Sequence, residues 1–340
     1  MSSRAWFVDQ YGGPERLVLR ERPDPVPGPG EVLVKTAAIG LNFADLFVRA
    51  GAYPRTPRPP FVPGMEISGT VEAVGEGAAD LRPGMLVVAV PIFGGHAEKV
   101  VAPASRVFPL PDGVDLVEAA AMPVVFLTAW YALAQARVAA GDRVVVTAAA
   151  GGVGTALLQL LAARGARPLA LVGSENKLGL CRELGAAEAG LYESAEELID
   201  RSFNKRADVA IDAIGGRIFR RLWRKLDRGG RYVLYGFAAA SGKGGVAKLT
   251  AARELLAMGL FSPYGFVQQC RTLIGFNLSL LPDRNGELRR AAQELFGQWK
   301  AGRIRPILGP RFPFELLPDA HRTLAARGTT GKVVITVGEG

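Results

Sequence analysis

The stretch Asp142-Arg-Val-Val-Val-Thr-Ala-Ala-Ala-Gly-Gly-Val-Gly154 runs directly into Thr155-Ala-Leu-Leu-Gln-Leu-Leu-Ala-Ala163. The β-branched run 144–147 predicts a strand, the glycines a turn, and the Ala/Leu run a helix. Glycine in such a turn lets the backbone approach a diphosphate, and the free N–H groups at the helix start, with the positive end of its dipole, attract the negative charge. In the G-x-G-x-x-G spacing the three positions are Ala149, Gly151 and Gly154, so the first is a small departure. The run Ala150-Gly151-Gly152-Val153-Gly154 is therefore expected to bind a dinucleotide pyrophosphate.

Outward from this turn the pattern alternates. Strands are expected at 144–148, 168–172, 209–213 and 232–235, with 271–276 as the last of that sheet. Helices are expected at 154–164, 176–184 and 218–226, followed by a helical stretch over 248–269. Strand–helix alternation implies a parallel sheet covered by helices on both faces. Residues 1–110 read differently: short strands at 31–37, 68–74, 85–90 and 96–101 alternate with Pro/Gly turns. The segment 23–30, with four prolines and two glycines, must be an extended connection. Residues 116–135 predict one or two helices interrupted at Pro123, and the tail a helix at 286–301 and a strand at 332–337.

The end of the second strand of the alternating region discriminates between cofactors. A site for NAD places Asp or Glu there, about 20 residues past the glycines, to bind the ribose 2′-hydroxyl. Here the position is Gly173, followed by Ser174-Glu175-Asn176-Lys177. A glycine leaves room for a 2′-phosphate, which Ser174 and Lys177 can hydrogen-bond or neutralise. That favours NADPH, while Glu175 keeps open a turn towards a ribose hydroxyl.

Composition excludes several classes. The 340 residues exceed one ordinary core and suit two domains. No apolar run is long enough to span a membrane, and no secretory leader is visible at residues 1–10. The two cysteines, Cys181 and Cys270, form no disulfide framework and fit a reducing cytoplasm. With His96 and His321 they are too few and too scattered for a nitrogen/sulfur zinc site. Net charge is +9. Its densest part is Arg217, Arg220, Arg221, Arg224, Lys225 and Arg228, interleaved with Ile218, Phe219, Leu222, Trp223 and Leu226. This is an amphipathic helix with a basic solvated face, or a contact for an anionic partner. No nucleic-acid motif accompanies it.

Taken together, Gly40-Leu-Asn-Phe-Ala-Asp-Leu-Phe-Val-Arg-Ala-Gly-Ala-Tyr53, Pro63-Gly-Met-Glu-Ile-Ser-Gly-Thr-Val-Glu-Ala-Val-Gly75, the 148–154 turn and Gly331-Lys-Val-Val334 carry a family pattern. The chain resembles the medium-chain dehydrogenase/reductase superfamily in its zinc-free quinone oxidoreductase-like branch. The first segment, Met65-Glu66 and Gly275-Phe-Asn-Leu278 look most like the vesicle amine transport protein-like subgroup. The resemblance implies an α/β fold: a GroES-like β domain (1–124), a Rossmann doubly wound parallel-sheet domain (125–277) and a C-terminal return to the first (278–340). It implies an active site in the cleft between them and a homodimer joined through the Rossmann sheets. Zinc-dependent members carry a Cys near position 40 and a Gly-His-Glu run. Here Ile39-Gly40-Leu41-Asn42 and Gly64-Met65-Glu66 have lost those ligands.

The chemistry implied is an NADPH-dependent, metal-free reduction of a quinone or an activated carbonyl or enone. The charge developing on such an acceptor is delocalised, so positioning and hydrogen bonds can replace a Lewis acid. Asn42, whose amide can donate to a carbonyl oxygen, and Tyr53, which can donate a proton or line the pocket, are the catalytic candidates. Each has a structural alternative, Asn42 as the turn before a helix and Tyr53 as a packed loop residue. Asp45 fits the helix N-terminus, and His96 a structural role. By resemblance the cofactor site also includes Thr128, Tyr192, Ile214, Gly236, Phe237, Phe276 and Asn277. An enoyl-thioester reductase, or an NADPH-binding sensor with little catalysis, are the alternative functions.

Overall fold

In the computed structural model, which describes residues 2–78, 80–240, 247–282 and 286–338, short strands dominate the first 110 residues, as their Pro/Gly punctuation predicts. They are β1 (Ser2–Val8), β2 (Leu17–Pro23), β3 (Glu31–Leu41), β4 (Ile67–Val74), β5 (Leu86–Ala89), β6 (Lys99–Pro103) and β7 (Val107–Pro109), with helix α1 (Phe43–Arg49) between β3 and β4. Pro123 separates α2 (Leu116–Ala119) from α3 (Pro123–Gln135), since proline lacks the N–H that a continuous helix needs but is tolerated in a first turn.

The alternating region comprises β8 (Arg143–Val146), α4 (Gly152–Ala163), β9 (Arg167–Val172), α5 (Leu178–Glu183), β10 (Glu188–Leu191), α6 (Ala195–Ser202), β11 (Ala207–Asp212), α7 (Gly216–Lys225) and β12 (Leu226–Leu234). It continues through α8 (Ala247–Met258), α9 (Pro263–Gln269) and β13 (Thr272–Gly275), and the tail adds α10 (Glu287–Lys300), β14 (Leu308–Pro313), α11 (Leu317–Ala325) and β15 (Lys332–Thr336). The helical stretch expected at 248–269 is two helices: Ser262 caps α9 by accepting the Gly265 N–H at 3.1 Å, and Pro263 opens it. The strand expected from His96 starts at Lys99, because the His96 backbone is taken by Pro63 and Trp6 across the loop.

The chain divides into two units, residues 1–127 with 282–340, and residues 128–281. In the second unit β8 to β13 form one sheet, ordered β10-β9-β8-β11-β12-β13, with every pairing parallel. Counted within the unit, that is the 3-2-1-4-5-6 order of doubly wound dinucleotide-binding sheets. Val145, Leu169 and Leu171 of the sheet pack with Phe219, Leu222 and Trp223 of α7. The basic face of α7 is partly neutralised from within, by Arg221 on Glu196 and Lys225 on Asp200 of α6.

In the first unit the long strand β3 is the hub. It pairs with β4 and β6, and the C-terminal strand β15 adds antiparallel to it, giving the order β14-β15-β3-β4-β5-β7. Ile39, Leu41, Ile67, Phe314 and Ile335 meet in its core, so the C-terminal strand β15 completes the sheet built on β3, while β1 and β2 pair in a separate two-stranded sheet.

Candidate cofactor cradle and polar centre

The glycine turn behaves as its residue types require. Gly151 is the N-cap of α4 and makes no side-chain cap bond, so it leaves the first amides of that helix uncapped from its own position. A Cβ on Gly154 would overlap the Ala148 carbonyl oxygen and lie 2.5 Å from the Ala149 Cα. Glycine there is thus set by helix–turn packing, while Gly151 keeps the approach to the amides open. Ala148 takes a left-handed φ of 50°, and its N–H donates to the Tyr192 hydroxyl at 2.9 Å. Tyr192 therefore braces the turn through its hydroxyl.

The neighbouring strand ends at Val172. A Cβ on Gly173 would meet only the Tyr192 ring, at 3.7 Å, so the position has room. Ser174 Oγ donates to Asn176 Oδ1 at 2.7 Å. Lys177 is buried, and burial lowers its pKa. Position 173 thus has room where an NAD site carries an acidic side chain.

A third turn is tied to the first by a buried network that the sequence did not reveal. Asp212, wholly buried at the end of β11, accepts from Thr147 Oγ1 (2.6 Å), Tyr232 Oη (2.7 Å), Ile214 N (2.8 Å) and Gly215 N (3.0 Å). Thr147 Oγ1 in turn accepts from Ala213 N at 2.9 Å. Burial pushes the Asp212 carboxyl upward while its four donors pull it down. The network locks the glycine turn to the turn that carries Ile214.

The remaining expected cofactor residues mostly follow strand ends on the same carboxyl edge, where ligands of open α/β sheets bind. Gly236 lies two residues past β12, with its α-carbon against the Ala213 backbone, and Phe237 packs on Gly215. Phe276 follows β13 and stacks on Tyr235 at 6.2 Å. Asn277 Oδ1 accepts from Ser279 N at 3.1 Å. Thr128 lies buried on α3.

The other unit holds a buried polar centre. Asn42 caps α1: its N–H donates to Asp45 Oδ2 at 2.8 Å. Its side chain does more than turn the chain. Nδ2 donates to Glu66 Oε1 at 2.8 Å and to the Gly40 carbonyl at 3.3 Å, while Oδ1 accepts from Lys332 Nζ at 2.6 Å. Lys332 also pairs with Glu66. Glu66 Oε2 accepts the Val124 N–H at 2.8 Å, placing the carboxylate at the start of α3. Gly40 is required beside it, since a Cβ would overlap the Ala120 carbonyl and come within 2.7 Å of Glu66 Oε1. Burial pushes the Asp45 carboxyl up to about 7. Tyr53 packs half-buried against the core of this unit, and its backbone carbonyl accepts from Thr56 Oγ1 at 2.6 Å. In the sequence Glu66 is legible only as the last residue of a run that has lost its metal ligand, and nothing there gives Lys332 a role. Among the described residues no group of three or more His, Cys, Asp or Glu side chains converges as a metal site.

Known protein families match segments of both units of the chain. Residues 28–112 match the alcohol dehydrogenase GroES-like domain family, and residues 152–278 the zinc-binding dehydrogenase family. The synaptic vesicle membrane protein VAT-1 homolog of Rattus norvegicus is 32% identical, covering 98% of this chain and 84% of the relative. The quinone oxidoreductase of Pseudomonas aeruginosa is 33% identical, covering 98% of this chain and 99% of the relative. The crystal structure of the Thermus thermophilus quinone oxidoreductase, described with its NADPH complex, superposes with a TM-score of 0.82 at 36% identity, covering 98% and 99% of the two chains.

Proposed function

We propose that this chain, which belongs to the medium-chain dehydrogenase/reductase superfamily alongside the quinone oxidoreductases and VAT-1 homologues, is an NADPH-dependent oxidoreductase that reduces a quinone or another activated carbonyl or enone. The observation that carries the cofactor choice is the end of β9, where roomy Gly173 with Ser174 and Lys177 stands in place of an acid. The NADPH complex of the Thermus thermophilus relative supports it. Bound NADPH supplies the hydride.

The chain's own residues do the rest. The amides from Gly152 to Gly154 at the start of α4, with Ala150 and Gly151 before them, hold the pyrophosphate, and Ser174 and Lys177 hold the 2′-phosphate. Thr128, Tyr192, Ile214, Gly236, Phe237, Phe276 and Asn277 line the remainder. Asn42 donates to the acceptor oxygen: its 3.3 Å bond to the Gly40 carbonyl is the weaker of its two and the one an acceptor displaces. Tyr53 lines the acceptor side. Gly40 and Met65 carry neither the thiolate nor the imidazole that a zinc site uses, so hydrogen bonding takes the polarising role.

Steady-state oxidation of NADPH and NADH with a panel of quinones and enones tests this. NADPH should be preferred, and Lys177→Ala should lower kcat/KM for NADPH about tenfold, the loss of one charge-assisted phosphate contact, with NADH little affected. No turnover with any quinone or enone would sink the proposal. Turnover of enoyl-thioesters alone would make it a thioester reductase, and NADPH binding without turnover a sensor.

A second copy covers the free edge of the parallel sheet. Among the described residues β13 ends the sheet, and Leu256 of α8 and Tyr264 and Val267 of α9, the helices that precede it, are each more than 60% exposed. An unpaired edge flanked by large apolar side chains suits antiparallel β13–β13 pairing across a two-fold axis. Sedimentation should give a dimer that Leu273→Lys with Val267→Glu converts to monomer, and a monomeric parent would refute it. No described helix is long and apolar enough to cross a membrane. Cys181 and Cys270 are free thiols, in keeping with the cytoplasm as the proposed location.

A further inference from the structure

The centre around Asn42 is assembled by sheet register. Strand β15 pairs antiparallel with β3, Val333 opposite Leu41, so Lys332 falls one step on, opposite Asn42. On the other side Ile67 of β4 stands opposite Ile39, so Glu66 falls opposite Gly40. Three adjacent strands thereby bring an amide, a carboxylate and an amine together, at 7%, 0% and 3% exposure. Gly331, with φ of 63°, sits where a Cβ would overlap the Ile307 carbonyl, and it delivers Lys332 into this corner.

The chemistry of the three groups fixes the amide. Lysine has only donors and a carboxylate only acceptors. Lys332 Nζ against Asn42 Oδ1, with Glu66 Oε1 against Nδ2, therefore allows one amide orientation out of the two that an asparagine can take. The second N–H of Nδ2 is left directed at the Gly40 carbonyl over 3.3 Å. A cationic donor on the amide oxygen also draws density from the nitrogen and strengthens its N–H groups as donors. Glu66 is held from its far side by the Val124 N–H, so it cannot turn away.

We infer that Lys332 is a positioning residue for the acceptor. Acting through Asn42, it holds and polarises the amide that donates to the acceptor oxygen, with Glu66 as the counter-charge that keeps both in place. The inference rests on the assignment of Asn42 to the acceptor made above. It goes beyond that assignment in making a residue from the far end of the chain responsible for the amide's orientation.

Removing Lys332 alone strands a buried carboxylate, which destabilises any protein. The informative variant is therefore the neutral pair Lys332→Met with Glu66→Gln, compared with Asn42→Ala and with the three substitutions combined. Asn42→Ala should slow quinone reduction about a hundredfold, the loss of one oxygen-directed donor. The neutral pair should slow it about tenfold with KM for NADPH unchanged. The triple variant should be no slower than Asn42→Ala, because Lys332 acts only through that amide. Penalties that add, or a folded neutral pair at wild-type kcat, would overturn the inference. A second readout does not depend on turnover. In ¹⁵N spectra the Asn42 side-chain amide protons should exchange slowly in the wild type and quickly in the neutral pair. Equal exchange in both overturns the positioning role. Slow exchange in the wild type lost in the neutral pair, with no acceptor reduced, would sustain the positioning role and sink only the assignment of an acceptor.

Discussion

Gly154→Ala should lower NADPH affinity by about a hundredfold or more and destabilise residues 128–281 by about 1–3 kcal/mol, the range for forced overpacking. The new methyl would overlap the Ala148 carbonyl oxygen, and it would come within 2.5 Å of the Ala149 Cα and 2.6 Å of its carbonyl carbon. All three are backbone atoms, so no side chain can swing aside. Either α4 must withdraw or the turn must open, and both movements displace the amides proposed to hold the pyrophosphate. The control is Gly179→Ala on α5, where a Cβ would meet nothing within 4 Å. Alanine there should stabilise by up to about 1 kcal/mol, since glycine is the poorer helix former, and leave NADPH affinity alone. Urea denaturation and NADPH fluorescence titration of the two variants give the comparison. Wild-type affinity in Gly154→Ala would refute the cradle.

Acidification should unfold the first unit through its histidine pair. His96 and His321 are wholly buried, edge to face at 5.4 Å, and Arg49 Nη1 lies 3.0 Å from His321 Nδ1. Burial, with the nearby Arg49 charge, pushes His96 down to about 3 and His321 well below its ordinary 6.5. Below pH 6.5 the unfolded chain therefore binds protons that the folded chain refuses, and each histidine removes about 1.4 kcal/mol of stability per pH unit. Asp45 works in the opposite sense. Its carboxyl is raised to about 7 from 3.8, so the folded state holds a proton the unfolded state lacks, and its contribution grows as pH falls from 7 towards 4. Among these three groups the balance still favours unfolding, by about 1.4 kcal/mol per unit.

Neither ring nitrogen of His96 has a hydrogen-bond partner among the described residues. His96→Leu should consequently fold at pH 7 and flatten the dependence of stability on pH between 6 and 4.5 by about 1.4 kcal/mol per unit. Denaturation curves across that range check it, and an unchanged slope would show that His96 does not titrate on unfolding.

The glycine turn was legible because its requirements are local. A strand, a small-residue turn and an amphipathic helix are each encoded by neighbours within a few residues, and so is the missing acid at Gly173. The break at Ser262-Pro263 carried a local signal too, a capping residue before a proline. By contrast β10, with Ala189 and Gly190 at its centre, is not legible, because those residues have little strand preference of their own and take the conformation from β9 beside them. Tyr192 was expected at the cofactor. Its hydroxyl is taken by the Ala148 N–H, 44 residues away in the chain.

Asn42 shows where the boundary lies. From the sequence alone came its identity, its place before a helix and the loss of metal ligands around it, all consequences of residue type and short-range spacing. Its partners stand 24 and 290 residues away, and no period or motif links those distances. Only the pairing of β4 and β15 on either side of β3 brings Glu66 and Lys332 to its amide. Register is set by the packing of whole strands against a shared core, so the surroundings of this amide were decided by the tertiary structure.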